Sequence, residues 1–147
     1  MTYRRLIQHA AFPLLALAFT NMAHAEESAL PAGFTTEALL KTSVTRDDDR
    51  IVYPTGTPQI ISVIGTMEKD GRTALHEHPV PVFVYVLEGE IELRSENGAP
   101  HRYKAGDAFI EALDRKHQAY NVAESPSKIL VVFVGEDGKP TTVAAGQ

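Results

Sequence analysis

The sequence has 147 residues, with 14 Lys plus Arg against 19 Asp plus Glu, a formal net charge of -5, and 44% apolar and 22% charged residues. That is ordinary composition for one globular domain, and no block of Lys and Arg offers a stripe that would neutralise phosphates, so nucleic acid is set aside as a partner. Cysteine is absent. Disulfide scaffolds, thiolate metal sites and cysteine nucleophiles are therefore excluded, and any metal has to be held by His, carboxylate or water.

In chain order the first feature is a secretory pattern. Arg4 and Arg5 precede a ten-residue apolar run, residues 10–19, and Ala23-His24-Ala25 puts small residues where a signal peptidase reads them. The run is half the roughly 20 residues a transmembrane helix needs. Residues 1–25 are therefore expected to be a signal peptide cleaved after Ala25, which sends the protein to the periplasm without a stable membrane anchor. Cleavage removes two arginines and no acid, so the remainder is more acidic than the whole. Residues 26–36, polar and containing Pro31 and Gly33, are expected to form an extended arm. Residues 37–147 then form a single domain.

Short segments rich in Val, Ile, Phe and Tyr follow: residues 59–67 (QIISVIGTM), 73–78, 82–87 (VFVYVL), 90–94 (EIELR), 107–112, 117–122 and 128–134. Each has strand length. Asp70-Gly71, Glu88-Gly89, Asn97-Gly98, Ala105-Gly106 and residues 135–138 supply turns between them. Residues 37–41 could form one helical turn at most, and no segment sustains a 3.6-residue period. Alternation in residues 90–94 predicts Ile91 and Leu93 inside and three charges in water. Residues 82–87 are apolar throughout, as in a strand covered on both faces. The expected class is all-β, a double-sheet jelly roll with an inner cavity. Asp47-Asp48-Asp49 reads as a solvated corner, since a calcium loop needs further ligands at fixed offsets.

Four histidines remain beyond the signal segment: His76, His78, His101 and His117. His76 and His78 are two apart on a predicted strand, so their rings project from one face with Cα atoms about 7 Å apart, within reach of one ion. His117 has to come from another strand. His101, after Pro100, is expected in an exposed turn. Tyr120, three residues after His117, is the tyrosine whose position relative to the site matters most.

These residues carry a resemblance. His76-Glu77-His78 with Gly89, then Gly106, His117 and Asn121, resemble the two motifs of the cupin superfamily, G-x5-H-x-H-x3,4-E-x6-G and G-x5-P-x-G-x2-H-x3-N. Ala112 and Asp114 stand where the second motif usually has proline and glycine. Gly71 lies one residue too close, and Val82 occupies the place of the acidic ligand. The likeness runs from about Leu39 to Val134 and is closest to small exported single-domain cupins. It implies a double-stranded β-helix, or jelly-roll barrel, holding one divalent ion on His76, His78 and His117.

Imidazole suits Fe, Zn, Cu, Ni and Mn, and three protein nitrogens leave positions open for water or substrate. Without the motif's glutamate, a neutral three-histidine set leaves the charge of the ion uncompensated and favours an anion at the vacant position. Glu111 could supply a carboxylate. It sits in an apolar stretch where a charge is costly without a partner, so it points either inward, as fourth ligand, acceptor from a ligand imidazole or general base, or outward into solvent.

Two functions follow from the resemblance. The first is a metal-dependent, dioxygenase-like enzyme acting on a small molecule, with iron as its metal and Val82, Val84 and Val86 as an apolar wall. The second is a non-catalytic module that binds or senses a metal or small ligand. Pairing into a homodimer is expected by analogy.

Overall fold

The computed structural model describes residues 33–96 and 98–145. The expected signal peptide and most of the expected arm lie outside them. The chain divides into two units, Met1–Thr36 and Glu37–Gln147. Residues 33–36 of the first unit carry no strand or helix, and residues 37–41 of the second are irregular rather than helical.

Among the described residues the second unit contains nine strands: β1 (Pro58–Met67), β2 (His76–Glu77), β3 (Val82–Glu88), β4 (Glu90–Ser95), β5 (His101–Lys104), β6 (Ala108–Ile110), β7 (His117–Asn121), β8 (Ser127–Glu136) and β9 (Val143–Ala144). They form a four-stranded sheet, β1-β8-β3-β6, and a five-stranded sheet, β5-β4-β7-β2-β9, with antiparallel pairing within each. This is the expected jelly roll. β3 and β4 belong to different sheets although one residue separates them. That residue, Gly89, takes φ +79°, and Ser127 stands so close that a Cβ there would collide with it.

Period-two alternation sets which side chains meet between the sheets. Val82, Val84 and Val86 of β3 lie opposite Phe133, Val131 and Ile129 of β8, and they face Ile91 and Leu93 of β4 across the core. The three valines are 0% exposed. Burial of each such side chain contributes about 1.5–3 kcal/mol before entropic costs. The expected apolar wall of a cavity is thus packed core.

Two other expectations change. β3 is covered on one face only: Phe83 and Tyr85 are half-buried and Leu87 is exposed. In β4, Ile91 and Leu93 are buried as expected, but Glu92 is also buried because Arg94 and Arg102 close over its carboxylate at 2.6 and 2.7 Å. Those hydrogen bonds hold Glu92 below the usual carboxylate pKa.

Of the seven expected strands, the one at residues 73–78 contracts to His76–Glu77, with isolated bridges from Arg72 to Tyr120 and from His78 to Leu113. β5 and β9 are additional, and His101 is exposed at the start of β5 rather than in a turn. β1 is ten residues long, lies at the edge of its sheet, and leaves Ile60 and Ile64 about 60% exposed.

Candidate metal centre

Strand pairing brings the histidines together. His76 of β2 is the register partner of His117 of β7, and the two-residue spacing sends His78 to the same side as His76. The ring centroids are 4.8 Å apart for His76 and His78, 4.5 Å for His76 and His117, and 5.3 Å for His78 and His117. His117 and His78 are buried, and His76 is half-buried at the outer side of the group.

Glu111 points inward. Its Oε2 is 2.6 Å from His117 Nε2 and 3.0 Å from His78 Nε2. β3 and β6 pair Phe83 with Ile110, so the antiparallel ladder sets Glu111 directly opposite Val82, and the Glu111 N–H donates to the Val82 carbonyl at 2.9 Å. The carboxylate missing from position 82 is therefore delivered to the same level of the barrel by the adjacent strand. The four donor atoms lie within 4.8 Å of one another, the scale on which nitrogen and oxygen ligands surround one ion with bonds of about 2.0–2.2 Å.

Backbone carbonyls orient all three rings. Nδ1 of His76 donates to Ala74 O at 2.7 Å, that of His78 to Thr141 O at 2.8 Å, and that of His117 to Arg115 O at 2.9 Å. A neutral imidazole carries one N–H, so each Nε2 is left as a lone pair aimed into the cluster. At the centre, Glu111 Oε2 and His117 Nε2 are buried without a conventional hydrogen bond among the described residues. Acceptors held face to face need a cation or a proton between them, and this donor set fits a divalent cation.

Protonation provides the alternative occupant. Burial opposes charge on Glu111, but the hydrogen bonds that His117 and His78 donate once protonated at Nε2 outweigh it and leave its pKa well below the usual carboxylate range. Burial likewise opposes charge on His117, yet Glu111 outweighs it and raises the ring above its ordinary value. His76 is lowered, chiefly by burial, with the neighbouring His117 and His78 adding to it.

The second motif keeps its shape where its residues differ. Asp114, in the usual glycine position, adopts φ +50°, and its N–H donates to His78 O at 2.9 Å. Aspartate tolerates the left-handed region better than most residues. Tyr120 is remote from the cluster chemistry: its hydroxyl donates to Gln118 at 2.9 Å, and the Arg94 guanidinium lies 4.0 Å from its ring centroid.

The family model of the cupin domain matches residues 63–133, which contain all four cluster side chains. Residues 63–133 are a cupin domain. Oxalate decarboxylase from Lactobacillus farciminis, solved as a formate complex, superposes with a TM-score of 0.51 at 22% identity, covering 58% of this cupin and 26% of that chain. An oxalate oxidase in complex with the substrate analogue glycolate gives 0.51 at 18%, covering 58% and 46%. A Bacillus subtilis oxalate decarboxylase mutant gives 0.51 at 23%, covering 58% and 24%. This cupin thus spans from about a quarter to about half the length of those chains, and the likeness is one of fold. No curated protein matches its sequence.

Sequence reasoning passed over two parts of the site's surroundings. The carbonyl that orients His78 comes from Thr141, near the C-terminal strand β9, whose two residues carry no periodic signal. Arg46, in the loop before β1, has a side chain only 1% exposed and no motif around it.

Proposed function

We propose that this cupin holds one divalent cation on Nε2 of His76, His78 and His117, with Glu111 as the fourth donor, and acts as a metal-dependent, dioxygenase-like enzyme on a small molecule. The observation that carries the reading is the convergence of three carbonyl-oriented rings on a buried carboxylate. When bound, such an ion supplies Lewis acidity, and iron adds one-electron and oxygen chemistry.

The chain's own residues would do the rest. The backbone carbonyls of Ala74, Thr141 and Arg115 fix the imidazole tautomers, and Glu111 offsets one positive charge and can hold a proton at Oε2. The packed valines exclude water from beneath the cluster. Were iron held there, four protein donors would leave it able to take further ligands, and half-buried His76 marks the side of the cluster nearest solvent.

A second reading is favoured by the inward position of Glu111. Four protein donors complete the tetrahedral shell of zinc, and a closed shell belongs to a non-catalytic binding or sensing module. Water-proton relaxation of the Co(II)- or Mn(II)-substituted protein separates the two readings. An exchangeable water, together with oxygen uptake by the Fe(II) form on a small-molecule panel, supports the enzyme. A fully closed shell with no oxygen uptake by any form overturns it.

The N-terminal pattern supports export to the periplasm, tested by fractionating cells that express the full chain. For assembly, β1 supports a homodimer. It is an uncharged ten-residue edge strand with Ile60 and Ile64 exposed, and two such strands meet without like-charge repulsion although each chain carries -5. Sedimentation should give a dimer that Ile60→Lys with Ile64→Lys converts to monomer. A monomeric wild type contradicts pairing.

A further inference from the structure

Arg46 lies beside the cluster with no role in the reading above. Its backbone N–H donates to Ile110 O at 2.8 Å, one residue before Glu111. Its side chain runs inward: Nη2 donates to Ser95 Oγ at 2.7 Å, Nη1 lies 3.1 Å from Asp47 Oδ1, and Nε is buried with no partner among the described residues. Ser95 is the register partner of His117, so this guanidinium is anchored one strand away from a cluster ring.

A charged group buried with a spare N–H is costly, and shape alone would be met by an apolar side chain. Ser95 Oγ accepts from Arg46, which leaves its own O–H to donate. A charged N–H and a hydroxyl next to the cluster are what a carboxylate accepts.

Charge sets the number of carboxylates. A dication with Glu111 sums to one positive charge, and Arg46 with Asp47 sums to zero, so one negative charge completes neutrality. A cavity of about 420 Å³ on the Ser95 side is lined by Asp47, Glu77, Glu96 and Asp114 against Arg115 and Lys116, with Arg46 and the cluster side chains behind that lining. An acidic rim admits a monoanion more readily than a dianion.

We propose that Arg46 and Ser95 form the carboxylate subsite for a small monocarboxylate ligand of the metal cluster, an inference that rests on the metal reading. The substrate class is then a monocarboxylic acid whose remaining polar atoms face the ion. Arg46 binds the carboxylate and sets specificity.

The test is titration of the Co(II)-loaded protein with acetate, its uncharged isostere acetamide and the dianion malonate, followed by the visible Co(II) spectrum. Acetate should perturb the spectrum saturably, acetamide should not, and malonate should bind more weakly than acetate. Arg46→Met should weaken acetate at least tenfold while Co(II) uptake stays within twofold. Asp47→Asn, which frees Arg46 of its counter-charge, should tighten acetate several-fold.

Unchanged acetate affinity in a Co(II)-loaded Arg46→Met protein overturns the subsite. Should that variant fail to fold, an Asp47→Asn affinity equal to or weaker than wild type overturns it. If the wild type takes up no Co(II), the metal reading falls on its own. In that case an acetate-dependent rise in Tm of the metal-free protein, lost in Arg46→Lys, keeps the subsite, and its absence removes that as well.

Discussion

β7 has a buried polar residue at each end, and the two ends are treated in opposite ways. At Asn121 every group is satisfied: Nδ2 donates to the carbonyls of Met67, Glu68 and Ser125 at 2.9–3.0 Å, and Oδ1 accepts from Ser127 Oγ at 2.7 Å and the Ala123 N–H at 2.9 Å. At His117, four residues earlier, the ring meets Glu111 and the central atoms have no conventional partner among the described residues. One end closes a turn and ties two sheets together. The other holds donors in readiness for something the chain does not itself supply.

Each end can be broken separately. His117→Ala should lower divalent-ion affinity roughly a thousandfold or more, since loss of even an outer-shell partner costs about 10–100-fold. Isothermal titration of the metal-free protein checks this, and an undiminished affinity would show that the ring is not a ligand. Asn121→Ala should do the reverse. Stranding the buried Met67 carbonyl, with those of Glu68 and Ser125 left to solvent, should destabilise the fold by about 1–3 kcal/mol, read as a lower urea midpoint, while the folded fraction binds metal as before.

The supports of the site give smaller effects. Ending the chain at Pro140 removes the carbonyl that orients His78 and the β9 partner of His76. Ion affinity should fall by about tenfold, within the range for outer-shell partners.

Acid should act through the same pair of groups. His117 is raised from 6.5, so below its folded pKa an incoming ion has to displace a proton, and affinity should drop as pH falls through that value, with proton release visible in unbuffered titration. In the metal-free protein the signs differ for the two partners. The His117 contribution is full below 6.5 and is lost as pH rises through its raised value. The Glu111 contribution is full above 4.5 and is lost as pH falls through its lowered value. Metal-free stability from this pair should therefore be greatest between about 4.5 and 6.5, which a series of urea midpoints against pH would reveal or contradict.

The smallest expected effect lies in the turn between them. Asp114→Gly relieves a left-handed aspartate and should raise stability by about 1 kcal/mol with metal affinity unchanged. A loss would mean that the Asp114 side chain has a role beyond the turn.

Most of the barrel was legible because β1, β3, β4, β7 and β8 alternate or run apolar over five to ten residues, lengths at which period two is visible. β2 and β9 were not, since two-residue pairings carry no period and exist through their neighbours. Burial of Glu92 escaped because strand parity predicts an outer face and cannot foresee Arg94 and Arg102 folding over it. Among site residues, the two-residue spacing gave His76 and His78 one face and the family resemblance supplied His117, which the pairing of β2 with β7 sets beside His76, whereas the direction of Glu111 needed the register of β6 against β3. Arg46 left no sequence signal, because its burial depends on a loop meeting Ser95, 49 residues away.

The central claim is that this cluster exists to hold an ion. It is tested most directly by elemental analysis of protein purified without added metal or chelator, beside His117→Ala prepared identically. One divalent ion per chain in the wild type and none in the variant is the expected result. Equal metal content in both, or none in either even after loading with Fe(II), Zn(II) or Mn(II), would contradict it.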